Sequence, residues 1–201
     1  MRYNLWTQIP EDVRQTIENG VTGKIPETPK PGTSSVPHYI VASNRIARLA
    51  AAAKAAELGY RVQVIDEPVQ GLVAAAADML FRTIETAPTG TAIVMGGETT
   101  VQVRGKGTGG RNQHLALLMT EKLAGGDIFF GAAGTDGIDG NSPAAGAWAD
   151  GRTIAKAESL DMNISQARQN FNSFPFFQRL DQSILTGPTG TNVMDLYIAL
   201  T

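Results

Sequence analysis

The stretch Tyr39-Ile40-Val41-Ala42-Ser43-Asn44-Arg45-Ile46-Ala47-Arg48-Leu49-Ala50, followed by Gly59 and by Arg61-Val62-Gln63-Val64-Ile65, decides the fold. Tyr39–Ala42 is a short apolar run of the kind that forms a strand buried on both faces. Ser43 is a natural N-cap, the alanine-rich segment 44–58 predicts a helix, and Gly59 is placed to close it. Ile46, Leu49, Ala50 and Ala53 share one stripe, the expected contact with a sheet. Residues 61–65 predict the next strand. A helix then runs from Leu72 to about Thr86, and Thr91-Ala92-Ile93-Val94-Met95 is a third strand. Strand, helix, strand, helix, strand with short connections predicts an α/β fold, a three-layer sandwich around a mainly parallel sheet.

The pattern continues downstream. Thr99–Val103 alternates like a strand, a glycine-rich loop leads into a helix over 112–123, and residues 127–133 form a further strand. Residues 143–183 read as helical or irregular, and Met194–Leu200 as a closing strand. Upstream, 1–35 reads as an N-terminal arm and linker. A short helix over 10–18 ends before Gly20, and three prolines and a glycine follow between Ile25 and Gly32. The α/β domain then occupies 36–201.

Composition narrows the function. The 201 residues carry a net charge of −2, so no positive field draws the chain to nucleic acid or to an anionic membrane. Cysteine is absent and there are only two histidines, which removes thiol chemistry and makes a multi-histidine metal centre a poor expectation. No apolar run approaches bilayer length and no secretory leader is evident, so a cytoplasmic protein is expected.

Three glycine-rich polar loops adjoin strands, where ligands of open α/β sheets bind. Arg104-Gly105-Lys106-Gly107-Thr108-Gly109-Gly110-Arg111 runs into a helix, so backbone amides, the helix dipole, Lys106 and a bidentate Arg111 could hold a phosphate or carboxylate. As an exposed loop cation, Arg111 should contribute little to folding. The same loop satisfies G-x-G-x-x-G, but its cations and the position of Asp127 at the start of the next strand fit a dinucleotide site poorly. In Gly134-Thr135-Asp136-Gly137-Ile138-Asp139-Gly140 the two aspartates suit Mg²⁺ held through water, or a substrate hydroxyl. The Asp-Gly steps are also ordinary turn chemistry. Thr186–Asp195 offers hydroxyls and an amide to a polar ligand. Glu98, in Gly96-Gly97-Glu98, can orient the cationic loop. His38 and His114 lack partner constellations, and His114 reads as packing or surface. Phe171, Phe174, Phe176 and Phe177 read as core or a subunit contact.

Taken in order, Gly96–Thr100, Gly105–Gln113, Gly134–Gly140 and Gly187–Asn192 resemble the MOFRL domain, the C-terminal region of the class II glycerate 2-kinases, most closely over about 91–201. The resemblance implies ATP- and Mg²⁺-dependent phosphorylation of D-glycerate in a cleft between two domains. It implies Arg111 as the catalytic contact to glycerate or the phosphoryl group, and Lys106, Gly107, Gly109, Gly110, Glu98, Thr189, Thr191 and Asn192 as substrate-binding residues. Asp136 and Asp139 would serve the metal. The family's N-terminal nucleotide-binding motifs are not found here. The expectation is therefore a chain that needs that missing domain as partner, is inactive alone and holds no cofactor tightly; a homodimer is compatible with it. Two rivals stand beside this reading: an NAD(P)H-dependent hydroxypyruvate reductase, the older label of many relatives, and a non-catalytic α/β module.

Overall fold

The computed structural model describes residues 5–28, 37 and 39–201. The chain divides into two units, Met1–Ile40 and Val41–Thr201. In the first, α1 (Glu11–Val21) starts behind Pro10 with two acids in its first turn, and none of its residues is buried. It outruns the helix expected from the sequence: Gly20 lies inside it, and Gly23, at φ +75°, takes the left-handed position. His38 and most of the proline-rich linker lie outside the described residues.

In the second unit a seven-stranded sheet is built from β1 (Arg61–Val64), β2 (Val69–Leu72), β3 (Thr91–Thr100), β4 (Phe129–Gly134), β5 (Gly146–Ala149), β6 (Ser183–Ile184) and β7 (Asp195–Leu200). The order is β1-β3-β7-β4-β5-β6, with β2 beside the second half of β3. The α/β class holds, but the expectation of a mainly parallel sheet needs correction. Only β1 and β2 pair in parallel, both with β3, whereas β3–β7, β7–β4, β4–β5 and β5–β6 are antiparallel. Two of these pairings come from β7, which inserts between β3 and β4 and runs against both, and two from β5 and β6 continuing the sheet beyond β4.

Side chains alternate across the long strand β3. Gly96 faces α2 (Asn44–Glu57), whose Asn44 side chain stands where a Cβ would project. Ile93 and Met95 point into the main core, packed with α3 (Val73–Glu85) and α4 (Arg111–Leu123). Leu80, Ile84, Leu115, Leu117, Phe130 and Tyr197 are fully enclosed there, each burial stabilising by about 1.5–3 kcal/mol. Three short helices, α5 (Thr153–Ser159), α6 (Ile164–Gln169) and α7 (Ser173–Arg179), lie against α4.

Several local readings change. Tyr39–Ala42 forms no strand, and Tyr39, Ile40 and Val41 are exposed. The buried stripe of α2 is Asn44, Arg48, Ala52 and Ala55, so Ile46 and Leu49 face outward. Polar residues can turn inward because each finds partners: Arg48 donates to Asn44 Oδ1 and to the Ile65 carbonyl, and Asn44 donates to the carbonyls of Val193 and Asp195. The two strands expected at 91–95 and 99–103 are one strand ending at Thr100.

Candidate functional site

Three loops meet at one edge of the sheet: the loop after β3, the loop after β4 and the loop before β7, which enters from the opposite direction. The middle one is the hub. From one side Thr189 N–H donates to Asp136 O and its hydroxyl to Thr135 O, while Asn192 donates to Asp136 Oδ2. From the other, Gly109 N–H donates to Asn141 Oδ1 and Asn141 N–H to Gly109 O.

The glycines between β3 and α4 answer to close packing. A Cβ on Gly107 would lie 2.4 Å from Phe171 O and 2.5 Å from Asn170 O, and one on Gly110 would lie 2.3 Å from Asp139 Oδ1. Their neighbours' amides are engaged as well: Gly107 donates to Asn170 O, Thr108 to Asn172 Oδ1 and Gly109 to Asn141 Oδ1. The amides of Gly110 and Arg111 have no acceptor among the described residues, which leaves two donors at the helix start. The G-x-G-x-x-G match is thus packed against the chain at Gly105 and Gly107, and only its end, at Gly110 and Arg111, keeps free amides.

Asp139 is 2% exposed and caps α4 from a distant loop. Its Oδ1 accepts the Asn112 amide at 3.1 Å and that side chain at 3.4 Å; its Oδ2 accepts the Gln113 amide at 2.9 Å and that side chain at 3.0 Å. A carboxylate has about four lone-pair positions, and here all are taken. Burial pushes the Asp139 carboxyl above the ordinary carboxylate range, and the donors from Gln113 and Asn112 oppose that shift. Asp136 Oδ1 accepts from the Ile138 amide and its Oδ2 from Asn192, which closes its own turn. Asp139 is thus saturated by donors of the protein itself, whereas Asp136, with one bond on each oxygen, keeps lone-pair positions open. No cluster of three or more His, Asp or Glu among the described residues is arranged to hold a metal.

Arg111 is the first residue of α4, and its side chain is 29% exposed. Nε donates to Asp195 Oδ2 at 2.7 Å and Nη2 to Oδ1 at 2.9 Å, a bidentate pair with a carboxylate that is 0% exposed. Nη1 lies 3.2 Å from Glu98 Oε1. The hydrogen bond with Asp195 raises the guanidinium pKa beyond its already high value, so the charge is permanent. Tyr197, whose hydroxyl donates to Asp195 Oδ2, is held protonated mainly by burial and by that same charge. Arg111 is thus an anchored cation and not the loosely held loop residue the sequence suggests. Of its five N–H donors, two are given to Asp195, and Nη1 faces Glu98 as an ion pair, so each Nη keeps at least one N–H without a hydrogen-bond acceptor among the described residues.

A cavity of about 450 Å³ opens beside this pair, lined by Glu98, Thr99, Val101, Arg111, His114 and Phe171 among others. Gly107, Gly109 and Gly110 of the expected substrate-binding set also line it. Lys106 is exposed on the same loop but outside the lining; Thr189, Thr191 and Asn192 join the loop cluster without reaching the cavity. Two residues gain weight that the sequence reading did not give them. Asp195 orients Arg111, and its signal was an acid opening a strand opposite a cationic loop. His114, read as packing or surface, stands in the cavity wall with its ring stacked on Phe171.

The MOFRL family model matches residues 91–195. The glycerate 2-kinase of Pyrococcus horikoshii is 34% identical over 206 residues, covering 98% of this chain and 47% of that protein. The glycerate kinase of Danio rerio is 30% identical over 251 residues, covering 98% of this chain and 50% of its own length. A crystal structure of a glycerate kinase from Thermotoga maritima superposes with a TM-score of 0.84 at 31% identity, over 96% of this chain and 46% of that one. A Pyrococcus horikoshii crystal structure gives a TM-score of 0.82 at 33% identity, over 99% of this chain and 48% of its own. The chain spans about half the length of the curated relatives it matches.

Proposed function

Because the chain belongs to the MOFRL family, we propose that it is the substrate-side half of an ATP-dependent glycerate 2-kinase. The observation that carries this reading is Arg111, fixed by Asp195 at the start of α4 in the wall of the cavity, with donors to spare. Phosphoryl transfer depends on positioning and on neutralising charge. A guanidinium whose geometry is set by a buried carboxylate needs little reorganisation to receive a carboxylate or a phosphoryl oxygen. Arg111 is the catalytic contact, and the free amides of Gly110 and Arg111 add donors beside it. Glu98 and Asp195 hold the guanidinium in register, and the loop carrying Lys106 adds positive charge nearby. ATP supplies the phosphoryl group in the complete enzyme. Within this chain the amides of Gly107, Thr108 and Gly109 are engaged by Asn170, Asn172 and Asn141, which supports assigning the nucleotide to a partner domain. The same engagement weakens the G-x-G-x-x-G motif as support for a nicotinamide-dependent reductase.

Two measurements test the reading. Calorimetry of the 201-residue chain with D-glycerate should show binding, and NADH should show none. A coupled assay with D-glycerate, ATP and Mg²⁺ should show no turnover by this chain alone. Phosphorylation by the pure chain would overturn the reading as half an enzyme, and absence of glycerate binding would overturn the substrate assignment.

A further inference from the structure

Four side chains form the first turn of α4, and three are engaged by the protein itself. Arg111 holds Asp195 and Glu98, while Asn112 and Gln113 hold Asp139. The fourth is His114. It is 7% exposed, and its ring lies nearly parallel to that of Phe171, with centroids 5.0 Å apart and planes at 11°. Nδ1 is enclosed and has no hydrogen-bond partner, whereas Nε2 is not enclosed and likewise has no protein partner among the described residues. The ring belongs to the wall of the cavity that Arg111 also lines.

An imidazole placed this way is unusual as packing alone. Nearly buried polar side chains are normally hydrogen-bonded; Asn112 and Gln113 each donate to Asp139 although their carbonyl oxygens are unpartnered, whereas His114 makes no side-chain hydrogen bond at all among the described residues. The stack on Phe171 fixes the ring plane, so the open nitrogen has a set direction. Burial, and after it the charge of Arg168, lower the pKa of His114 below its ordinary value, so the ring is neutral at physiological pH. A neutral imidazole nitrogen pairs best with a group that can both give and accept a hydrogen bond, which is an alcohol. The anionic end of a ligand is better served by the remaining donors of Arg111 and the amides beside them.

We infer that His114 is a binding residue of this cavity that takes a hydroxyl of the ligand, so that the site selects small hydroxylated carboxylates over plain ones. This rests on the reading of the chain as the glycerate-binding half.

The test uses the chain's two histidines. In a His38→Gln background His114 is the sole imidazole, and its ring nitrogens can be followed by nitrogen-15 NMR. Titration with D-glycerate should shift the Nε2 resonance, and propanoate, which lacks both hydroxyls, should leave it in place. His114→Phe keeps a ring for the stack on Phe171 and should weaken glycerate binding about tenfold without changing propanoate binding. His114→Gln, which restores a hydrogen-bonding group, should recover part of the loss. If glycerate binds but the resonance is unmoved and His114→Phe binds within twofold of wild type, the role of His114 is wrong and the kinase reading stands. Equal shifts with propanoate would also overturn hydroxyl recognition. If glycerate does not bind the wild-type chain at all, the kinase reading falls and this inference with it.

Discussion

Asp195 is wholly buried at the start of β7 and receives two parallel hydrogen bonds from Arg111, at 2.7 and 2.9 Å, across 84 positions of sequence. Removing one partner of such a pair leaves an uncompensated buried charge. Arg111→Met should therefore destabilise the fold by about 3–5 kcal/mol. Arg111→Lys, which keeps the charge but loses the fork, should cost less. Urea unfolding measures both, and a cost below about 1 kcal/mol for Arg111→Met would mean that the pair is no stronger than a surface contact.

Asp139 offers a second test, because its oxygens serve four N–H donors of α4. An amide at this position has only one accepting atom. Asp139→Asn should cost roughly 2–3 kcal/mol through the donors left unmet, and it should loosen the first turn of α4. Faster amide exchange at Asn112 and Gln113 would report that loosening, and unchanged protection would refute it.

The glycines divide into those that contact their neighbours and those that do not. Gly107→Ala drives a methyl onto two backbone oxygens and should destabilise by about 1–3 kcal/mol or more. Gly126→Ala meets its nearest atom at 3.4 Å with an ordinary φ, and should stay within about 1 kcal/mol of wild type. Thermal unfolding of the two variants separates them. Similar losses would mean that chain flexibility, and not space, sets the requirement at Gly107.

His114 makes stability depend on pH in a defined direction. Its native pKa lies below the ordinary 6.5, first through burial and then through Arg168. As pH falls through 6.5 the unfolded histidine binds its proton first, which favours unfolding. This contribution to stability is complete above 6.5 and is lost as pH falls from there towards the native pKa. The slope is at most one proton, about 1.4 kcal/mol per pH unit. The stability difference between wild type and His114→Phe should change over that interval and be flat above it. A flat difference throughout would show that the ring takes up a proton without hindrance in the fold.

Much of the framework was legible because local signals and tertiary packing agree. Ser43 caps α2 through the Ile46 amide, Gly59 takes φ +91°, and β7 lies where a closing strand was expected. What misled was burial that depends on remote partners. Asn44 and Arg48 are interior only because Val193, Asp195 and Ile65 offer carbonyls, and nothing within α2 announces that. Gly96-Gly97 reads as the end of a strand, yet the missing side chains are what let Asn44 and Val69 close on β3. β5, with its Gly-Ala-Trp-Ala sequence, has little strand propensity of its own and owes its state to β4 and β6. In the site, charge and glycine density pointed to Arg111. The direction of β7, which brings Asp195 beneath it, is a property of topology alone. The same holds for His114, whose stacking partner lies on a segment that local pattern left irregular.

β7 also constrains the order in which the fold can be made. Ala92 pairs with Leu200, and Phe129 pairs with that same residue from the other side. β3 and β4 are therefore never neighbours; each waits for a strand more than sixty positions downstream of it. Closing so long a loop carries an entropic cost before any ladder bond compensates it, and folds rich in such distant pairings assemble slowly. On the ribosome, residues 91–134 would emerge as two halves of a sheet with a vacant slot between their apolar edges. Those edges are the surfaces most open to mispairing. The strand that delivers Asp195 to Arg111 is thus the one that closes the sheet, so the site and the core are completed in a single late event.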